Sequence, residues 1–145
     1  MAEIKKVLLS VYSSIQALGD NGLPEGEPEK DEINAVGELK RAGGITKISY
    51  EEKRDGAKTL CEIIIRDETV KVKREGCAEC EMVFSKQKSY EGIYKVPPFS
   101  FDLKIETTSL DISFTETEGE ISLKYIMSIG GALRLARMKI HIKND

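Results

Sequence analysis

The chain has 145 residues, 40% hydrophobic and 32% charged, and carries a net charge of −3. That length favours one domain with a real hydrophobic core. An acidic chain without a clustered basic surface argues against nucleic acid, whose binding rests on phosphate neutralisation, and the absence of Trp with a single His, His141, leaves little material for a His-based metal centre or hydrolase.

At the N-terminus, "MAEIKKVLLSVYSSIQALG" joins two lysines to an apolar stretch, loosely in the manner of a signal peptide. Ser10, Tyr12, Ser13 and Ser14 break that stretch early, while Val7, Leu9, Val11 and Ile15 keep a period of two. The period predicts a strand over residues 4–17. No apolar run approaches the ~18–20 residues of a membrane-spanning helix. The expectation is a cytoplasmic protein with no membrane partner and three reduced cysteines. Residues 19–31, "GDNGLPEGEPEKD", carry Gly, Pro and acid without an apolar period. They read as a flexible acidic loop between the first and second strands. Asp20, Glu25, Glu27, Glu29 and Asp31 against Lys30 give it a local charge of −4.

"EINAVGEL" and "ITKISYEE" then form a hairpin about "KRAGG", whose glycines can supply positive φ. "TLCEIIIR" and "TVKVKR" are strands joined at Asp67-Glu68, and "AECEMVFS" is the next. "SYEGIYKVPPFSFDLKIETT" supplies two strands that bend at Pro97-Pro98, since proline cannot donate to a ladder. "LDISF" continues the pattern, and "ISLKYIMS" and "LRLARMKIHI" close the chain around "IGG". No segment keeps the helical stripe of i, i+3, i+4 and i+7. The fold class is therefore all-β: about nine to eleven strands in an antiparallel meander, closed or nearly closed into a barrel that removes its open edges.

Alternation also assigns the faces. Phe101, Leu103, Ile105, Leu123, Tyr125 and Ile140 should point inward, and Lys104, Lys124 and Lys139 outward. Tyr50 shares the face of Ile48, and Tyr90 shares that of Tyr94. A barrel of ~8 strands can be filled by side chains or hold one small ligand. If it is hollow, Tyr50, Tyr90, Tyr94, Phe101 and Tyr125 are the candidate ligand-binding residues. The loop over residues 19–31 would be the lid, with Leu23 dipping into the mouth.

The order of several short stretches is familiar. "SYEE" (49–52), Tyr94 with "VPPFS", "IETTSL" (105–110), "LKYIMSIGG" (123–131) and a final basic strand together resemble the YwiB-like family of bacterial domains of unknown function. The resemblance implies a lipocalin-like, or calycin-like, β-barrel. It implies no activity, and a shared fold does not carry function. Val96, Pro97, Pro98 and Phe99 stand where the family often has Thr-Pro-aromatic-Gly, and the Gly-x-Trp of secreted lipocalins is missing.

"CAEC" (77–80) has the spacing of a zinc or redox pair. Only Cys61 and His141 could complete a zinc site, at unhelpful spacings, and the following "EMVF" reads as a strand rather than the helix that a thioredoxin-type motif opens. No metal, cofactor or catalytic residue is assigned. Arg134, Arg137, Lys139, His141 and Lys143 read as a charged outer face, with an anion site as the second reading. No Glu-x-Glu-x-Lys of the triphosphate-tunnel enzymes occurs. The leading expectation is non-enzymatic binding of a small, largely apolar molecule. The alternative is a structural or protein-interaction barrel with a filled core, and a small-molecule hydrolase stands third.

Overall fold

The computed structural model describes residues 3–54, 56–76 and 78–145, with the Arg54 side chain outside that description. Ten strands follow one another: β1 (Glu3–Leu18), β2 (Pro24–Ala42), β3 (Ile45–Arg54), β4 (Ala57–Arg66), β5 (Thr69–Glu75), β6 (Cys80–Ser85), β7 (Ser89–Val96), β8 (Phe99–Phe114), β9 (Glu118–Ile129) and β10 (Ala132–Asn144). They form one antiparallel sheet in the order β6-β5-β4-β3-β2-β1-β10-β9-β8-β7. Neighbours in sequence are neighbours in space, except that β1 pairs with β10, from Val7↔Asn144 to Ala17↔Arg134.

The two sheet ends, β6 and β7, meet and nearly close the barrel. Glu79 and Lys95 exchange backbone hydrogen bonds of 2.8 and 2.9 Å. At the other end of this seam, the Gln87 N–H donates to the Thr107 carbonyl and the Thr107 N–H to that of Lys88, both at 3.3 Å. Two otherwise open edges are thereby covered.

Period-two patterning explains the core. Val7, Leu9 and Val11 are buried on β1, while Leu8 and Tyr12 on the opposite parity are exposed. Leu103, Ile105, Leu123, Tyr125 and Ile140 are buried, and Lys104, Lys124 and Lys139 face out, as alternation predicts. On β8 a bulge between Thr107 and Ser109 resets the faces, so that Leu110 follows Thr107 inward. One end of the barrel is packed solid. There the Arg41 guanidinium lies 5.2 Å over the Phe114 ring, while in the interior Phe84 packs at a tilt on Tyr125 with ring centroids 4.7 Å apart.

Three expectations are corrected. Only residues 19–23 separate the first two strands; residues 24–31, read as loop, are strand and pair with β1 from Leu18↔Pro24 to Ser13↔Asp31. All eight are exposed, and charge, glycine and proline stand in place of alternating apolar residues, so hydrophobic patterning does not register the strand. A register shift at Gly26–Pro28 sits opposite Gln16, whose side-chain amide donates to the Gly26 carbonyl at 2.7 Å. Second, Phe101 is 41% exposed. Its pairing partner is Tyr94, but β9 ends at Ile129 opposite Leu103, so the β7–β8 tip outruns its neighbour. Third, Arg134 leaves the basic outer face: it shares the parity of the buried Ala136 and Met138 and turns inward.

β2 pairs with β3 only from Glu38↔Ser49 to Ala42↔Ile45. Just before that ladder lies Gly37, where a Cβ would stand 2.6 Å from Leu9 Cδ1 and 2.8 Å from the Ser49 carbonyl oxygen. Gly37→Val should therefore cost about 1–3 kcal/mol by overpacking. Ile105→Ala, at a site 1% exposed, should cost about 2–5 kcal/mol. Urea midpoints of the two variants check both values, and an unshifted midpoint for Ile105→Ala would remove that residue from the core.

Candidate functional site

On the N-terminal side of Glu38, β2 diverges from β3 among the described residues. The space this opens is a cavity of about 590 Å³ at the end of the barrel away from the packed core. Every one of the ten strands contributes to its lining. The apolar part includes Val11, Ile33, Leu103 and three methionines, Met82, Met127 and Met138. The polar part includes Tyr94, Tyr125, Cys80 and six charged side chains: Glu29, Lys30, Asp31, Glu52, Arg74 and Arg134.

A row of cross-strand partners crosses four strands beside the cavity: Tyr50↔Cys61, Cys61↔Arg74 and Arg74↔Cys80. Register alone places these side chains next to one another on the inner face. Glu52, one inward position beyond Tyr50, is 4% exposed. Its Oε2 accepts from Arg74 Nη1 at 3.5 Å, and its Oε1 accepts from the Tyr50 hydroxyl at 3.5 Å. Both contacts are long for charge-assisted hydrogen bonds. Arg74 Nε is buried and has no acceptor among the described residues.

The electrostatics follow from burial. Burial first, and the adjacent Cys61 second, push the Tyr50 phenol far above its ordinary value. Burial and then Glu52 raise the Cys61 thiol to about 11. Burial raises Cys80 as well, against the pull of Arg74. Burial raises Tyr125 to about 12. For Arg74, burial is the largest influence and pulls downward, but Glu52, Tyr50 and the thiols together outweigh it and leave the guanidinium above its usual value. At neutral pH both thiols are protonated, which is the weakly nucleophilic form.

Of the residues picked out by sequence, Tyr94 and Tyr125 line the cavity, and Tyr50 supports it through Glu52. Tyr90 lines a separate groove with Lys104 and Glu106. Phe101 sits at the exposed hairpin tip, and Leu23 is 61% exposed in the β1–β2 turn, outside the cavity lining. Sequence reasoning passed over Glu52 and Arg74, and placed Arg134 on the outer face. Each lies on the inward parity of its strand, so a charged residue at an inward position was the available signal. Cys80 and Cys61 are free thiols, and Cys77 lies outside the described residues. No group of three or more His, Cys, Asp or Glu among the described residues is placed to hold a metal ion. No helix among them is long and apolar enough to cross a membrane.

A nearly closed antiparallel barrel of ten strands with a hollow end defines a lipocalin-like architecture. Residues 19–142 match the family model described as "Domain of unknown function (DUF1934)", and the chain belongs to that family. The fold is similar to that in the crystal structure of ywiB protein from Bacillus subtilis, with a TM-score of 0.83 and 25% identity over 98% of this chain and 93% of that one. No curated protein matches the sequence.

Raised acids fix the sign of the alkaline response. Cys61 moves from 9.0 to about 11 and Tyr125 from 10.0 to about 12. Between those values the unfolded chain has released protons that the folded chain still holds, so stability falls as pH rises. Urea midpoints should hold below about pH 9 and decline through about pH 11. Cys61→Ala should flatten the first part of that decline, and an identical slope in the variant would contradict the assignment.

Proposed function

We propose that the barrel binds a small molecule in its open end, without forming a covalent bond to it. The observation that carries this reading is the cavity of about 590 Å³ lined by all ten strands. Ligand sites are typically ~300–1,000 Å³, mostly apolar, with a few placed polar groups. The walls are aliphatic and methionine around Tyr94, Tyr125, Arg74 and Glu52, and Glu29, Lys30, Asp31 and Arg134 add more charge than such sites usually carry. Methionine adapts its shape to a guest, and three of them bear on this space. The ligand is therefore largely apolar, with at least one polar group to meet the inner cluster.

A second reading, a protein-interaction barrel, draws support from the β7–β8 tip. Phe99 is 64% exposed there, beside the exposed Phe101 and Val96. Paired apolar side chains at a hairpin tip suit a contact surface.

Native mass spectrometry of freshly purified protein, followed by titration with Nile red, separates the two. Binding in the cavity predicts a co-purified mass or saturable probe binding. Ser13 lies on the cavity wall, and Ser13→Trp should weaken the probe by at least about tenfold, equivalent to ~1.4 kcal/mol, without changing the melting temperature. Full probe binding by a folded Ser13→Trp variant, or no binding by the wild type, would remove the cavity from consideration.

A further inference from the structure

Resting on the cavity reading above, we propose that the ligand carries an uncharged oxygen acceptor, the carbonyl of an amide, ketone or ester, that takes the N–H of Arg74 Nε. Its apolar body then lies against the methionine walls.

The first support is an unmet donor. Buried polar groups are nearly always paired, so a buried donor with no acceptor needs an explanation. Arg74 Nε is such a donor among the described residues, and the side chain that carries it lines a ligand-sized cavity. Its Nη1 is engaged with Glu52 at 3.5 Å, which leaves the Nε side of the guanidinium for a guest. Tyr125 lines the same cavity, and its hydroxyl is a second group there that can donate. Arg74 Nε can only donate, and the Tyr125 hydroxyl can donate as well as accept. The complementary ligand group is an acceptor.

The charge balance selects an uncharged one. Glu52 and Arg74 cancel at the inner end of the cavity. Toward the mouth Glu29 and Asp31 stand against Lys30 and Arg134, so the six charges sum to zero. A carboxylate would add an uncompensated charge at the inner end of the site, beside the buried Glu52, which is costly. A carbonyl satisfies the same donors without that charge.

Isothermal titration with octanamide and octanoate at neutral pH tests the assignment, because the two share an apolar tail and differ in head-group charge. The wild type should prefer the amide by about tenfold. Arg74→Lys keeps a positive charge against Glu52 and removes Nε, and Tyr125→Phe keeps the ring against Phe84 and removes the hydroxyl. Each should weaken the amide by about five- to tenfold, the worth of one lost hydrogen bond. Glu52→Gln leaves the Arg74 charge unbalanced and should reverse the preference toward octanoate. Equal affinity for the two ligands, or a wild-type preference for octanoate, overturns the head-group assignment even if a variant fails to fold. If Nile red binds while Arg74→Lys and Tyr125→Phe leave the amide unchanged, the assignment falls and the cavity reading stands. If neither Nile red nor either ligand binds, both fall together.

Discussion

At Gly37 the chain has room for a hydrogen and nothing larger. Leu9 Cδ1 and the Ser49 carbonyl oxygen occupy the space a side chain would need. This close crossing marks the place where β2 stops following β3. Before it, β2 pairs with β1 alone; after it, from Glu38 onward, β2 pairs with both neighbours. The barrel is therefore tight on one side of Gly37 and spread on the other. Tyr50 and Glu52 lie on β3 just past the crossing, where the adjoining strand has moved away. A fully zipped β2–β3 ladder would bring the β2 wall over them and leave less space for a guest.

The same divergence divides the interior into two materials. On the packed side, Ile48, Ile63, Val72, Phe84 and Ile121 are all but fully buried in one continuous core. Such burial supplies the folding free energy. On the open side the inner face carries ion pairs, phenols and thiols, which contribute little net stability and much specificity. The packed half holds the open half in register. The Tyr50, Cys61, Arg74 and Cys80 row depends on ladders whose far ends lie in the apolar core.

Strand identity and face were legible in the sequence wherever hydrophobic residues carried the alternation, as for Leu103, Ile105, Leu123 and Ile140. Residues 24–31 were not, because all are exposed and rich in charge and proline, which are also marks of loops. Both prolines of that segment, Pro24 and Pro28, are tolerable because β2 has a free edge over these residues. The exposure of Phe101 depends on where β9 ends, and the inward turn of Leu110 on a bulge; neither is a property of local sequence. The candidate site was half visible. Tyr94 and Tyr125 follow from parity, whereas the meeting of Glu52 with Arg74 across an intervening strand needs the register of two ladders.

The β1–β10 ladder has a consequence for how the molecule is made. Every other ladder joins strands that leave the ribosome one after the other, so each hairpin can form as it emerges. β1 is different: it gains β2 early, but its second partner is the last strand synthesised. Until then the apolar face of Val7, Leu9 and Val11 has no roof, and the nascent sheet carries an unpaired edge along β1. Non-local pairing of this kind is slow and exposes aggregation-prone surface while it is pending. Its outer face mixes Lys6, Ser10 and Ser14 with the exposed Leu8 and Tyr12, so both faces of the waiting strand show apolar groups, and a nascent-chain chaperone would find its longest-lived target there.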